Sequence, residues 1–366
     1  MTQEKIWFND IIKTMEPRWV MSSMATWAVW MLLFIIWGKL QFVPLKYLAW
    51  ILAILAILFF ILFTIFFTIR IFKFPQDIKN DLSHPITANF FAWIFISASV
   101  IVTIIWNVLQ PLWWCINPEL ISSIFYYIWL VIGVLTIVFV PFMLTISEKV
   151  DSKHAIWIWF LPPVGLFVLL FAWNFMYINH NIWDWIIYFN SLLFWVAFIL
   201  YFLVLSMIYA RLKFHPLPAP EVAPSFVIWL APVGVSIIAL NTFLGVLKWN
   251  NIFHWDLSVV KTLISIVSSM MAWFGIWWFA VTFLILSYYL IKKSLPYTLW
   301  WWALVFPVAA FGISFKFLAT DLSCQYICIF AAFLGFIAFI LWVVVFYKTL
   351  VWIITKKAFQ RPKVVK

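Results

Sequence analysis

Tyr47–Ile69 reads YLAWILAILAILFFILFTIFFTI, an unbroken run without a charge, a proline or a glycine. At 1.5 Å per residue such a helix is about 35 Å long, enough to cross a hydrocarbon core of about 30 Å. A membrane-barrel strand would alternate apolar and polar residues over about ten positions, whereas this run is apolar on both parities. The stretch is a transmembrane helix, and the rest of the chain repeats its character. Cutting at charges, prolines and polar clusters predicts ten spans, over 18–38, 46–70, 85–110, 120–146, 155–178, 182–210, 224–248, 256–291, 296–318 and 323–354. No connector is long enough to fold alone, so 1–366 reads as a single all-α integral-membrane domain.

Composition agrees with that reading. Of 366 residues 67% are hydrophobic and only 10% charged, against roughly 25% charged in a soluble globular protein. Soluble enzymes, nucleic-acid-binding proteins and extracellular scaffolds are excluded, and the bilayer itself is the first partner. Three cysteines do not make a disulfide framework, although Cys115 lies at the same predicted outer level as Cys324 and Cys328. The polar opening MTQEKIWFNDIIKTMEPR is unlike a cleavable leader.

The 23 basic residues are spread unevenly. Lys39, Lys46, Lys248, Lys261 and Lys316 fall on one side, and the other eighteen fall at the termini and in the loops after even-numbered spans. By the positive-inside rule both termini are expected in the cytoplasm of a multi-pass protein of the cell membrane. An even number of spans gives the same answer.

The odd spans open at Pro17, Pro85, Ala155, Pro224 and Pro296, about seventy residues apart, so the chain reads as five helical hairpins. Deeper prolines recur in a shared motif: WFLPPVGLF (Trp159–Phe167), WLAPVGVSI (Trp229–Ile237) and LVFPVAAFG (Leu304–Gly312). Proline frees a backbone carbonyl, which hydrocarbon tolerates only beside protein or a water-filled cavity. The odd helices are therefore expected inside, lining a pore, with the even helices facing lipid. Candidate lining residues are Ser22 and Thr26 on the first span, Ser99 on the third, Pro163 on the fifth, Pro232 on the seventh, and Ala303 and Ala310 on the ninth. Serine and threonine in membrane helices usually make packing contacts or bond their own backbone, so the hydroxyls are structural by default, with a pore role as the secondary reading.

Chemistry is sparse. Every acid falls at or beyond a span boundary, which argues against a cation channel or a carboxylate proton relay. Lys316 sits near the outer end of the ninth span, either snorkelling to the interface or recruiting anions. The five histidines lie at span ends without ligand-like spacing, so neither a metal nor another cofactor is expected. QDIKND (Gln76–Asp81) has the wrong aspartate spacing for a magnesium-dependent prenyltransferase. An integral-membrane enzyme acting on lipid or isoprenoid substrates is the alternative class, and the chain lacks the polar catalytic cluster it requires.

Four segments together resemble the tellurite-resistance/dicarboxylate transporter family, which includes plant slow anion channels, fungal malate permeases and sulfite efflux pumps. They are EPRWVMSSMATW (Glu16–Trp27), DLSHPITANFF (Asp81–Phe91), WFLPPVGLF and YTLWWWALVFP (Tyr297–Pro307). The resemblance implies ten helices with pseudo-fivefold symmetry, the inner odd helices lining a pore. It also implies a homotrimer with one pore per subunit and an anion as substrate: a small inorganic anion, tellurite, sulfite or a C4-dicarboxylate. It assigns pore gating to the phenylalanine before the ninth-span proline, which here is Phe306. Where relatives often have Gly-Thr-Gly, this chain has Ala25-Thr26-Trp27, so Trp27 either narrows the pore or turns away from it.

Overall fold

The computed structural model describes residues 8–109, 117–147, 150–179, 184–292, 295–356 and 358. Cys115 and nearly all of the Lys356–Lys366 tail lie outside the described residues. Ten helices are long and apolar enough to cross a membrane: α1 (Pro17–Gly38), α2 (Val43–Lys73), α3 (Thr87–Asn107), α4 (Glu119–Thr145), α5 (Trp157–Asn174), α6 (Trp185–Phe214), α7 (Ala223–Trp229 continuing to Trp249), α8 (Leu257–Lys292), α9 (Leu299–Asp321) and α10 (Gln325–Ile354). Among the described residues there is no β-strand. These ends fall within about four residues of those expected from hydropathy alone. Some helices run past their apolar stretch, as α2 does through Arg70 to Lys73 and α6 through Arg211 to Phe214. Their basic side chains continue the helix beyond the apolar run.

Odd and even helices differ in burial. Within their apolar windows the odd helices are 78–94% buried and the even ones 22–33%. Each odd helix touches two others, in the closed order α1–α3–α5–α7–α9–α1, and each even helix packs on the odd helix before it. The outward side chains of α2, among them Ile54, Leu58, Ile61 and Ile65, are about half exposed. They have nothing polar to offer water and belong against lipid tails.

All five odd helices begin with a 3₁₀ segment: Pro17–Val20, Thr87–Phe91, Trp157–Phe160, Ala223–Trp229 and Leu299–Leu304. These five segments touch one another in a ring of their own. The motif prolines Pro163, Pro232 and Pro307 are each the third residue of the α-helix that follows. They therefore mark the change from 3₁₀ to α winding, near the start of the helix, where the sequence suggested a deeper kink. Having no N–H, proline needs no α-type partner there, and its ring disfavours the i−4 carbonyl of a preceding α turn. In α1 and α3 the same change happens without proline, so the residue suits the junction but is not required for it.

The hairpins are closed by five side-chain bonds at the end where the 3₁₀ segments lie. Lys73 Nζ donates to Asn9 Oδ1 (3.4 Å), Ser147 Oγ to the Ser83 carbonyl (3.3 Å), Arg211 Nε to the Lys153 carbonyl (3.3 Å) and Tyr289 OH to the Pro218 carbonyl (2.6 Å), while Tyr297 OH and Thr349 Oγ1 share a 2.5 Å bond. Each ties the far end of an even helix to the segment leading into its own odd partner. Neighbouring hairpins are joined there too: the Arg18 guanidinium lies over the rings of Phe90 and Trp300, 5.2 and 5.9 Å from their centroids. Arg70 at the end of α2 pairs with Asp81 at 2.7 Å. Burial raises the Asp81 carboxyl above its ordinary range despite that guanidinium.

Candidate functional site

One small cavity is lined by all five odd helices. Met21 and Met24 come from α1, Trp93 from α3, Leu161 and Val164 from α5, Ile228 and Ala231 from α7, and Ala303, Phe306 and Pro307 from α9. Its volume is about 10 Å³, room for one water at most. Convergence of five helices on one point puts this cavity on the axis of the inner ring. Every lining surface is apolar, the Trp93 ring included; the Trp93 indole N–H is buried without a hydrogen-bond partner and is not exposed to the cavity. A larger cavity of about 490 Å³ opens sideways between α6 and α8 and includes none of these residues.

Phe306, only 1% exposed, forms one wall of the axial cavity. Its ring lies 6.4 Å from that of Trp27, tilted by 37°. Trp27 in turn meets Phe171 of α5 edge-on at 5.9 Å and donates its indole N–H to Thr103 Oγ1 of α3 at 2.8 Å. Trp27 therefore faces inward, among side chains of the other inner helices. Of the two orientations open in the sequence, the inward one, toward the other odd helices, is realised.

The remaining candidates are distributed as follows. Ala303 lies in the axial lining with Phe306. Ala310 is packed against α7, where a Cβ on Gly234 would stand 2.7 Å from the Ala310 carbonyl carbon. Ser22 donates to the Trp19 carbonyl (2.8 Å) and Ser99 to the Phe95 carbonyl (2.7 Å). Thr26 donates to the Ser22 carbonyl (2.7 Å) and accepts from Trp342 Nε1 of α10 (2.9 Å), so its hydroxyl serves an outer helix. Pro163 and Pro232 are buried at their 3₁₀–α junctions, one residue along from Val164 and Ala231 of the lining. The hydroxyls are occupied locally, as Ser and Thr in apolar helices commonly are. Lys316 is half-buried at the far end of α9, its ammonium 5.7 Å from the Phe317 ring centroid.

Sequence reading missed Met21, Met24, Trp93, Leu161, Val164 and Ile228. A signal for Ala231 was present: it precedes Pro232 as Phe306 precedes Pro307, and both face the axis. Nothing comparable marks the methionines.

At the rims, carboxylates are held by backbone and hydroxyl donors. Hydrogen bonds from the Lys153 backbone and side chain and from Ser152 pull Asp151 down to about 2. Bonds from Ser258 hold Asp256, at the start of α8, below its usual range. Among the described residues no group of three or more His, Cys, Asp or Glu side chains could hold a metal ion.

An apolar axis runs inside five inner and five outer helices, and comparison with known proteins places this chain in a family. Residues 14–350 match the voltage-dependent anion channel family. The chain belongs to that family. Two relatives of Methanocaldococcus jannaschii, both named uncharacterized transporters, are similar across most of their length. One is 28% identical over 332 residues, 85% of this chain and 88% of the relative; the other is 27% identical over 350 residues, 93% and 96%. Membership of the voltage-dependent anion channel family makes this chain a multi-pass membrane anion transporter, and the family and relatives' names point to transport rather than catalysis.

Proposed function

We propose that small anions cross the membrane along the axis of the five odd helices and that Phe306 closes this path. The carrying observation is the axial cavity: all five odd helices meet there, and the space narrows to about 10 Å³ against the Phe306 ring. A passage of that size lined by apolar groups is dry, and a dry constriction is a barrier to any ion. Anions are preferred over cations because, among the described residues, no carboxylate lines the axial cavity. With no acid to relay protons, transport runs down the gradient. The pseudo-fivefold arrangement, the homotrimer and the cell-membrane location with cytoplasmic termini, implied by resemblance and charge, belong to the same proposal. So does the substrate range of inorganic anions, tellurite, sulfite and C4-dicarboxylates.

Anion flux in liposomes tests it. Phe306→Ala leaves space beside Ala303 and is expected to raise chloride flux above wild type, with potassium flux unchanged. Flux at the wild-type level in a folded variant removes Phe306 from the gate. Truncation of a buried Phe typically costs about 3–5 kcal/mol, so the melting temperature is measured alongside.

A further inference from the structure

We infer that Trp27 is a second barrier in series with Phe306, so that two aromatic layers close the axis. This rests on the axial pathway proposed above and specifies how it is closed. Trp27 is the seventh residue of the α-helical part of α1, and Phe306 the second of that of α9. The other partners of Trp27, Phe171 and Thr103, are the eleventh and twelfth residues of the α-helical parts of α5 and α3, whereas Val164 and Trp93 of the axial cavity are the fourth and second. Trp27 thus contacts the odd helices beyond the cavity, toward their C-terminal ends.

Its contacts reach across the ring. From α1 the indole meets Phe306 of α9, Phe171 of α5 and Thr103 of α3, so four of the five inner helices supply this layer. The side chain is 2% exposed. The bond from the indole N–H fixes its swing, and the Thr103 hydroxyl is itself anchored through donation to the Val100 carbonyl at 2.7 Å. An anion that passes Phe306 meets an indole latched across the path. To go further it must displace that ring, which frees the N–H to donate to the anion in place of Thr103.

Barriers in series predict synergy, because removing one leaves the other rate-limiting. Chloride flux is measured in liposomes for wild type, Trp27→Ala, Phe306→Ala and the double variant, with melting temperatures for each. The expected result is a modest rise for each single variant and a double variant more than about tenfold above either, so that removing the second ring lowers the remaining barrier by more than about 1.4 kcal/mol. A double variant equal to Phe306→Ala overturns the role of Trp27 and leaves the Phe306 gate standing. Equality with Trp27→Ala makes Trp27 the sole barrier and overturns the series arrangement. If no variant, the double included, exceeds wild type while all remain folded, the axial pathway itself fails. Should Trp27→Ala not fold, Thr103→Val in the Phe306→Ala background removes the latch while keeping the side-chain shape. Flux several-fold above Phe306→Ala alone supports the latch, and unchanged flux rejects it.

Discussion

A methyl group added at Gly234 and one added at Gly38 meet opposite surroundings. At Gly234 a Cβ would stand 2.7 Å from the carbonyl carbon of Ala310 and 2.7 Å from the amide nitrogen of Phe311, main-chain atoms of α9 that cannot rotate away. At Gly38 nothing lies within 4 Å. Gly234→Ala should therefore force α7 and α9 apart and lower stability by about 1–3 kcal/mol. Gly38→Ala should raise it by up to about 1 kcal/mol through a less mobile unfolded chain. Thermal unfolding in detergent checks both, and equal effects would refute the close contact of α7 with α9. Phe306 was singled out by the family resemblance, which marks the phenylalanine before the ninth-span proline, and the structure puts it in the axial lining. The direction of Trp27 could not be read in the sequence: α1 is apolar all round, and only a helix with one polar side reveals which side faces inward.

The element that the sequence describes least well is the 3₁₀ opening of each odd helix. A proline inside an apolar run signals an interrupted α-helix, but tighter winding before it and a kink after it satisfy the same missing N–H. The choice is made by packing, since the five 3₁₀ segments touch in a ring that no single hairpin contains. The inner place of the odd helices was legible, because prolines concentrate where protein rather than lipid takes up freed carbonyls. One of these openings has a pH dependence that can be measured. Asp151 caps the short 3₁₀ turn Ser152–His154 before α5, and its carboxyl is held at about 2 against a usual 3.8. A carboxyl depressed on folding stabilises above its unfolded value and loses that contribution as pH falls through its folded one. The loss runs from about pH 4 to about pH 2. Asp81, raised by burial, has the opposite sign: it favours the fold below the unfolded value, an advantage lost as pH rises through the folded value. Asp151→Asn should thus lower the melting temperature near neutral pH and flatten its decline between pH 4 and 2. A decline as steep as wild type would mean that the cap contributes nothing to the opening of α5.

For the whole molecule, hydropathy fixes how many times the chain crosses the bilayer, while the direction of insertion depends on a few charges. Eighteen basic residues lie at the termini and in the loops after even helices, which is also the end where the five bonds close the hairpins. By the positive-inside rule that end, both termini and the axial cavity beside Phe306 are expected toward the cytoplasm. The start of α10, with Cys324 and Cys328, is then expected to face outward. In that orientation positive charge would stand at the inner mouth of the proposed path, where it would raise the local concentration of anions and lower that of cations. A single reporter tests the orientation. In a variant with Cys115, Cys324 and Cys328 replaced by serine, Val365→Cys should react with a membrane-impermeant maleimide only after the cells are permeabilised. Labelling of intact cells would turn the molecule over. The basic mouth and the Phe306 side of the path would then face outward, and Trp27 rather than Phe306 would be the ring nearer the cytoplasm.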